Sequence, residues 1–445
     1  MNVRFAAAAL ASAVTVMPHA APAAAPAPAA ASAPAAEPAP TVQRQDGVTY
    51  ISQPAPASPL VNVTLVVRAG LNRQTLQQNG LAALTAETIM RTPVNGTPLE
   101  DAIAATGGSI HFTVDPDDVR FSIEAIPQDA TAVLGFAHQA LSAPSFTPAT
   151  VRDARASLVR TINQDQQIAL QVGLEMLSAA SGQANTGLPA LGIPASLAQL
   201  GPADARSFYS KYYLRGGSFV SAVGALSALA PNALTTIAQA LPTGSTAAVK
   251  TDIPPLTGTS RQLVAHRDVP APWLIAQYSA PDIDSKDFGP MLVLSAFLQR
   301  TLADIAQVPG VVSATSTSRA VGALYSYDRG PASLTLYVDG GIGNPNRAFA
   351  TALSVANILA ATRLQGSIDE FKSMAAGDFT TGSTSLETRA WLAVIFAQDG
   401  ASPDYLSRTL QAISTTTAAD LQRVARTYLG NPTIALVLPR DENSN

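Results

Sequence analysis

The sequence predicts an α+β fold made of two homologous domains, each with a mixed β-sheet covered by helices. Segments rich in β-branched residues alternate along the chain with longer amphipathic segments, as expected of strands and helices that share a core. The segments that begin at Ala203 and Ala419, 216 residues apart, both read Ala-Asp with a Tyr nine residues after the Ala. A repeat of this length indicates two copies of one domain, because solenoid repeats span only about 20–50 residues.

The boundary between the two copies falls at residues 241–260, which are rich in Pro, Thr, Gly and Ser. Such a composition is typical of a linker. We therefore predict an N-terminal domain over residues 47–240 and a C-terminal domain over residues 261–440.

Composition limits the possible functions. The chain has 445 residues, of which 47% are hydrophobic and 13% charged, against about 25% charged in an ordinary soluble protein. So low a charge content suits a surface that a partner covers in part, although a composition rich in alanine explains the low charge content equally well. A net charge of −4 provides no electrostatic footprint for nucleic acid. The absence of cysteine excludes disulfides, thiolate zinc sites and iron–sulfur clusters.

The N-terminus resembles an export signal. Arg4 precedes an apolar run over residues 5–17, and Ala21-Pro22-Ala23 fits the small-x-small cleavage pattern. We predict a signal peptide over residues 1–23 and a periplasmic or secreted protein. The run is shorter than the roughly 20 residues of a spanning helix, and a retained anchor is the alternative. Residues 24–46, mostly Ala and Pro, are predicted to form a disordered linker.

The N-terminal domain has a clear order of predicted elements. β-Branched residues dominate the predicted strands. A turn at Asn79-Gly80 starts a helix that Pro93 stops, and Gly107-Gly108 ends the next helix. The turn Asp115-Pro116-Asp117-Asp118 joins two strands as a hairpin. The predicted strands are 48–51, 61–67, 109–114, 119–126 and 218–223; the predicted helices are 80–93, 98–106, 130–141, 147–180 and 202–214.

The C-terminal domain repeats this order. Its predicted strands are 273–278, 311–316, 334–338 and 433–438, and its predicted helices are 289–305, 347–361 and 367–396.

Five short motifs carry a resemblance to a known family. They are Val66-Val-Arg-Ala-Gly70, Asn79-Gly-Leu-Ala82, Ala105-Thr-Gly-Gly-Ser109, Phe208-Tyr-Ser-Lys-Tyr-Tyr213 and Ala419-Asp-Leu-Gln-Arg-Val-Ala425. In this order and spacing they resemble the pitrilysin/insulinase family of zinc peptidases, especially its bacterial two-domain subunits and the mitochondrial processing peptidase. The resemblance covers about residues 48–439 and implies a clam-like pair of domains.

The resemblance also identifies positions where zinc chemistry would be expected. Active members carry H-x-x-E-H, in which two His bind zinc and the Glu is the general base on the metal-bound water. A gapless match places Ala83 and Glu87 at the ligand positions and Ala86 at the base position. The third ligand, a Glu in the family, falls near Thr161. Alanine has no lone pair, so the resemblance implies a non-catalytic member in which Glu87 is a solvated or salt-bridged helix residue.

The second signature of the family is an Arg and a Tyr seven residues apart that grip the substrate. A match at Gly310 places Ala306 and Ser313 at these positions. Nearby, Arg319, Tyr325 and Tyr327 could substitute for them. The alternative is an ordinary strand or loop role for these three residues.

Peptide contact could persist without catalysis. In this family a substrate peptide adds as a strand to the sheet edge that follows the Gly-Gly turn, and such addition requires only backbone groups. The matching residues, Ile110, His111, Phe112 and Thr113, are candidate substrate-binding residues. An ordinary half-buried histidine on a strand is the alternative for His111.

The resemblance thus implies a non-catalytic subunit of a heterodimeric zinc metallopeptidase. It would bind no metal itself, while a homologous partner chain binds the zinc, and the two would enclose a peptide substrate. The alternatives are a stand-alone peptide-binding module and a structural core subunit, as the family supplies to respiratory complexes. We expect no membrane span after removal of the signal peptide.

Overall fold

The computed structural model describes residues 38–180, 187–247, 261–305, 321–327, 332–339, 368–398 and 402–440. Within these ranges the strands form two large sheets, one from each half of the chain, and one short hairpin. No helix in these ranges is both long enough and apolar enough to cross a membrane.

The first sheet is mixed, as predicted. The strands of the N-terminal half are β1 (Thr41–Gln45), β2 (Val48–Pro54), β3 (Val61–Val67), β4 (Pro93–Val94), β5 (Thr97–Pro98), β6 (Ser109–Val114), β7 (Val119–Ala125) and β8 (Phe219–Gly224). Strands β4 and β5 form the short hairpin, and the others form a sheet with the order β1-β2-β8-β3-β7-β6. Strands β2 and β8 run parallel, whereas the other neighbouring pairs are antiparallel.

The N-terminal half contains eight described α-helices, several of which cover one face of this sheet. They are α1 (Leu81–Met90), α2 (Leu99–Ala104), α3 (Ala130–Ser142), α4 (Pro148–Asp165), α5 (Ala169–Ala180), α6 (Pro194–Leu197), α7 (Pro202–Tyr212) and α8 (Ala233–Gln239). Helix α1 packs between the sheet and the outer helices α4 and α7, so all ten of its residues are buried. The helix that carries the family motif positions is therefore a central element of the core.

The second sheet comes from the C-terminal half. Its strands are β9 (Arg261–Arg267), β10 (Trp273–Ser279), β11 (Val321–Ser326), β12 (Ser333–Asp339) and β13 (Thr433–Pro439), and the helices are α9 (Phe288–Ile305), α10 (Ile368–Gly382), α11 (Leu386–Gln398), α12 (Tyr405–Ser414) and α13 (Ala418–Tyr428). The strand order is β11-β12-β10-β13-β9, and only β9 and β13 are parallel among these pairs.

The two sheets have the same topology. The order β2-β8-β3-β7-β6 in the first sheet corresponds strand by strand to β9-β13-β10-β12-β11 in the second, with the one parallel pair at the same place. Helices α7 and α13, each of 11 residues, begin 216 positions apart. The predicted fold class, two homologous α+β domains, is confirmed.

The two halves exchange a helix. Helix α5 follows the N-terminal α4 but packs on β10 and β13 of the second sheet. Conversely, α11 belongs to the C-terminal half but packs on β2, β3 and β8 of the first sheet. Among the described elements, each sheet is thus covered on one face by helices of its own half and on the other by a helix of the other half.

This exchange corrects two predicted helices. The helix expected over residues 147–180 is divided at residues 166–168, where Gln167 N donates to Gln164 O and Ile168 N to Asp165 O. The helix expected over residues 367–396 is divided at residues 383–385. After each break the chain packs on the sheet of the other half. The second break is followed by a helix that is buried on nearly all sides, because it lies between the two halves.

Other differences concern strands and linkers. Residues 41–45, predicted as part of the disordered linker 24–46, form β1, because a tight turn with positive φ at Asp46 and Gly47 lets the chain pair back onto β2. Strand β11 at residues 321–326 was not predicted. The predicted signal peptide, the strand 311–316, the helix 347–361 and residues 248–260 of the predicted linker lie outside the described residues.

Candidate functional site

The start of helix α1 is held by a close contact between backbones. Gly80 has a φ of 94°, and a Cβ there would lie 2.8 Å from a side-chain atom of Leu197 and 3.0 Å from the Cα of Gly192. A residue with a side chain is disfavoured in this left-handed conformation and has no room here. The Asn79-Gly80 turn thus fixes the position of α1 against the segment before α6.

At the positions on α1 that match the zinc ligands and the base of the family, the residues are either apolar or paired with an opposite charge. Ala83 and Ala86 are 0% exposed and belong to the main hydrophobic core. Glu87 is 2% exposed, and Arg91 Nε donates a hydrogen bond of 2.9 Å to its Oε1. The one remaining carboxylate of the motif is therefore engaged in an ion pair one helical turn away.

Arg91 also connects α1 to α4, the helix that carries the third ligand position. Arg91 Nη2 donates to Ser157 Oγ on α4 at 3.0 Å and lies 3.4 Å from Oε2 of Glu100. One turn further along α4, Thr161 Oγ1 donates to the backbone oxygen of Ser157 at 3.3 Å. The fold thus brings α1 and α4 together as the resemblance implies, but they are joined by an Arg-centred network.

No metal-binding cluster can be identified in the described ranges. There, no group of three or more His, Asp or Glu side chains is placed to hold a metal ion. A catalytic zinc site requires three protein ligands, and alanine offers no donor atom.

The candidate peptide-binding strand lies at an edge. Strand β6 is last in the first sheet and pairs only with β7 among the described strands. His111 lies opposite Ser122 and Thr113 opposite Arg120, so these four side chains share one face of the sheet. The structure therefore brings Ile110, His111, Phe112 and Thr113 to the edge where strand addition is possible.

His111 contacts the helix of the other half. Its Nε2 lies 2.7 Å from Oε1 of Glu387 in the first turn of α11, and both side chains are partly exposed, at 41% and 24%. Burial alone would raise the pKa of Glu387, but the hydrogen bond and charge of His111, together with the charge of Arg120, outweigh it and lower that pKa. The Glu387 carboxylate is therefore ionised at the edge of the sheet.

A second carboxylate lies beside this contact. Glu124 on β7 pairs with Ser109 at the start of β6. Burial and the negative charge of Glu387 raise the pKa of Glu124, whereas the charge of His111 opposes this shift. The two glutamates thus repel each other across the edge of the sheet.

The face of the first sheet under α11 carries several polar side chains. His111, Ser122, Thr64 and Ser221 lie side by side across β6, β7, β3 and β8, and the last three are buried. In the adjacent row, Arg120 stacks 4.1 Å from the ring centre of Trp391 on α11. The two halves therefore meet through polar and aromatic contacts, in addition to apolar ones.

The candidate residues of the C-terminal half are only partly described. Ala306, Ser313 and Arg319 lie outside the described residues. The Tyr325 hydroxyl donates to the backbone oxygen of Pro281, and its ring packs against Phe288 and Tyr327. Burial raises the pKa of Tyr325 well above its usual range. Tyr325 thus has a structural role in an aromatic cluster.

Sequence reasoning did not find Glu387, Arg120 or Trp391. Glu387 is 276 positions from His111 and lies in a segment predicted as the interior of a long helix. The contact depends on the helix exchange between the halves, which leaves no local signal in the sequence.

Comparison with known proteins agrees with this geometry. Residues 49–192 match the sequence profile of the insulinase family, peptidase family M16. No curated protein sequence matches the chain. Among solved structures, an inactive domain of peptidase M16 from Pseudomonas fluorescens has a TM-score of 0.75 at 14% identity, over 90% of this chain and 98% of that one.

Two further solved structures share the fold. A protease from Helicobacter pylori has a TM-score of 0.74 at 16% identity, over 91% of this chain and 100% of that one. A chain of complex III2 from Candida albicans, solved with Inz-5 bound, has a TM-score of 0.70 at 13% identity, over 89% of this chain and 95% of that one.

These findings define the class of the fold. The chain has two sheets of one topology that exchange helices, a two-domain fold that it shares with the inactive M16 domain from Pseudomonas fluorescens. Alanine occupies the positions that match one zinc ligand and the general base of the family motif. Residues 49–192 carry the sequence pattern of peptidase family M16, and the fold of the described chain is similar to that of solved M16 structures.

Proposed function

We propose that the chain is the non-catalytic subunit of a heterodimeric zinc metallopeptidase. In this proposal, a homologous partner chain supplies the zinc and the general base, and this chain closes the chamber and helps to bind the peptide. The observation that carries the proposal is the fully buried pair Ala83 and Ala86 on a helix that is otherwise kept in place, next to a Glu87 neutralised by Arg91.

The chemistry makes catalysis by this chain alone a poor alternative. Zinc hydrolases need three protein ligands and a general base that activates the bound water. Loss of the base alone typically costs about 10²–10⁴ in rate. Here Ala83 also offers no donor atom at a ligand position, and the Glu87 carboxylate is engaged by Arg91. Peptide hydrolysis therefore requires another chain.

The retained scaffold supports a role in a complex. A helix that no longer binds zinc would tolerate many other packings, yet α1 keeps its place between the sheet, α4 and α7. Strand β6 keeps backbone groups at a sheet edge, which is what strand addition needs. The inactive M16 domain from Pseudomonas fluorescens has the same overall fold, which supports the existence of stable non-catalytic copies.

A second candidate function is a structural core subunit of a larger assembly. The similarity to a chain of the Candida albicans complex III2 favours it, because that chain has the same fold inside a multisubunit complex. A stand-alone peptide-binding module is a third possibility that β6 alone would support. The predicted signal peptide, and with it a periplasmic or secreted location, favours the peptidase subunit.

Purification of the native complex tests the proposal. An affinity tag at the C-terminus should recover an equimolar complex with a homologous chain that carries H-x-x-E-H, about one zinc per heterodimer and peptidase activity. The isolated chain is the control and should show neither zinc nor activity. Cell fractionation of the same strain tests the expected location.

Each other outcome contradicts the proposal in a different way. Stoichiometric zinc and peptide cleavage by the isolated chain would show that it is catalytic. Recovery of the chain in a large assembly without peptidase activity would favour the structural subunit. A monomer that binds peptides but has no zinc-bearing partner would favour the stand-alone module.

A further inference from the structure

The outer edge of β6 lies beside two glutamates. A strand added along this edge would lie about 4.8 Å from β6, with alternate side chains on each face of the sheet. The side chains on the face of His111 would extend toward the first turn of α11, where Glu387 contacts His111 at 2.7 Å. This is the face on which Glu124 pairs with Ser109.

Cations of the chain only partly balance these carboxylates. His111 contacts Oε1 of Glu387, but a carboxylate has about four lone-pair sites and accepts more than one donor. Arg120, a second cation on this face, stacks on Trp391 at 4.1 Å. The raised pKa of Glu124, caused by burial and by the charge of Glu387, agrees with an excess of negative charge.

The short side chain at the start of β6 leaves the edge open. Ser109 is exposed and lies opposite Glu124, so it does not shield this carboxylate from the edge. Long side chains on neighbouring strands interact with both the directly opposite and the diagonal residue, at about 5–8 Å. A lysine or arginine on an added strand is long enough to approach both glutamates.

We propose that Glu387 and Glu124 make the edge of β6 selective for extended peptides with a lysine or arginine on the face shared with His111. Selection arises because a basic side chain relieves the repulsion between the two carboxylates, whereas an acidic one increases it. The inference rests on the proposed peptide-binding role of β6 and adds to it the chemical class of the peptide.

The alternation of a strand makes the preference periodic. Only every second residue of a bound peptide lies on the face of Glu387. A basic residue moved by one position would face the apolar core side, near Ile110 and Phe112. Preference for a basic residue should therefore alternate along the peptide.

Peptide-binding measurements on the full chain test this inference. The probe is a fluorescent ten-residue peptide of Thr, Val and Gln, with one lysine, glutamine or glutamate moved along it and a photo-crosslinker at one end. Fluorescence anisotropy gives the dissociation constants, and mass spectrometry locates the crosslink. We expect lysine at alternate positions to bind about three- to tenfold more tightly than glutamine, with crosslinks to residues 109–114.

Matched variants test whether the two glutamates cause the preference for lysine. Glu387→Gln keeps the hydrogen-bonding capacity toward His111 and removes the charge, and with Glu124→Gln it should reduce the preference to less than about twofold. Glu370→Gln, an exposed change on α10, is the control and should leave the preference unchanged. Thermal unfolding of each variant verifies that it is folded.

The outcomes separate this inference from the heterodimer proposal. Equal affinity for lysine, glutamine and glutamate peptides, or a preference that survives the double variant, would overturn the inference. Absence of peptide binding would overturn it together with the binding role of β6. A preference dependent on Glu387, in a chain that never joins a zinc-bearing partner, would sustain it and reject the heterodimer.

Discussion

The Nε2 atom of His111 lies 2.7 Å from Oε1 of Glu387, although 276 positions separate the two residues in the chain. This contact joins the edge strand β6 of the first sheet to α11, the helix of the C-terminal half that packs on that sheet. The strand proposed to bind peptide is therefore coupled directly to the packing between the two halves.

The first prediction concerns the strength of this contact. A double-mutant cycle with His111→Ala and Glu387→Ala should give a coupling free energy of about 0.5–1 kcal/mol, because both groups are partly exposed. Urea unfolding of the four proteins at neutral pH measures it. A coupling indistinguishable from zero would mean that the contact does not stabilise the fold.

The pH dependence of this coupling follows from Glu387. Its pKa is lowered in the folded protein, so its stabilisation is present above the pKa of the unfolded chain. It is lost as the pH falls through the folded pKa, because the protonated carboxyl no longer carries the charge that pairs with His111. The cycle repeated near pH 3 should give a smaller coupling than at neutral pH.

A second prediction concerns Glu175 on α5. Burial, with a contribution from the charge of Asp165, raises the pKa of Glu175, although hydrogen bonds from Gln166 and Gln171 and the charge of Arg267 oppose the shift. A carboxyl with a raised folded pKa stabilises the protein below its unfolded pKa, and this stabilisation is lost as the pH rises through the folded pKa. Glu175→Gln should therefore raise the free energy of unfolding by about 0.5–1 kcal/mol at pH 7.

The gain should disappear at pH 4 and below, where the wild-type carboxyl is also neutral. Chemical unfolding at the two pH values measures the difference. An equal effect of the substitution at both pH values would show that the charge of Glu175 is not its cause.

A third prediction concerns the ion pair that replaces the metal site. Arg91→Ala would leave the buried Glu87 carboxylate without its partner and should cost about 2–3 kcal/mol of unfolding free energy. The double variant Arg91→Ala with Glu87→Ala should recover part of this loss. Arg152→Ala is the matched control, because its ion pair with Asp153 is exposed and should contribute less than about 0.5 kcal/mol.

Thermal or urea unfolding compares these variants. If Arg91→Ala and Arg152→Ala cost the same, Glu87 is not held in place by an essential buried pair. The proposed replacement of metal chemistry by a structural network would then lose its support.

A fourth prediction concerns the helix exchange. A Cβ at Gly173 on α5 would lie 2.0 Å from the Cδ1 atom of Ile275 on β10, whose side chain is fully buried. Gly173→Ala should therefore destabilise the protein by about 1–3 kcal/mol through overpacking. Gly135→Ala on α3, where a Cβ meets no atom within 4 Å, should instead stabilise it by about 0.5–1 kcal/mol through helix propensity.

The two glycine variants form an internal control, because both place alanine in the middle of a helix. Differential scanning calorimetry compares their melting temperatures with that of the wild type. A stabilising Gly173→Ala would show that α5 does not pack closely on the second sheet.

A fifth prediction concerns metal removal. Treatment of the isolated chain with EDTA should leave its melting temperature unchanged, because a folded state that binds no metal gains nothing from it. The same treatment should abolish the peptidase activity of the proposed heterodimer, and added zinc should restore it. A large decrease in the melting temperature of the isolated chain would reveal a metal site in this chain.

The sequence by itself determined the repeat, the class of the fold and the state of the zinc motif. Strand and helix periods, a separation of 216 residues between copies and the alanines at positions 83 and 86 are local or simply periodic features. The hairpin around Asp115 to Asp118 and the helix after Gly80 were predicted for the same reason, because turn residues act on their immediate neighbours.

The tertiary structure decided how the halves are joined. The breaks at residues 166–168 and 383–385, the hydrogen bond from Arg91 to Ser157, and the contact of His111 with Glu387 all depend on which surfaces meet after folding. A hydrophobic period shows that a helix face is buried but not which sheet buries it. For that reason the position of α11, and of its Glu387 beside β6, could be known only from the tertiary structure.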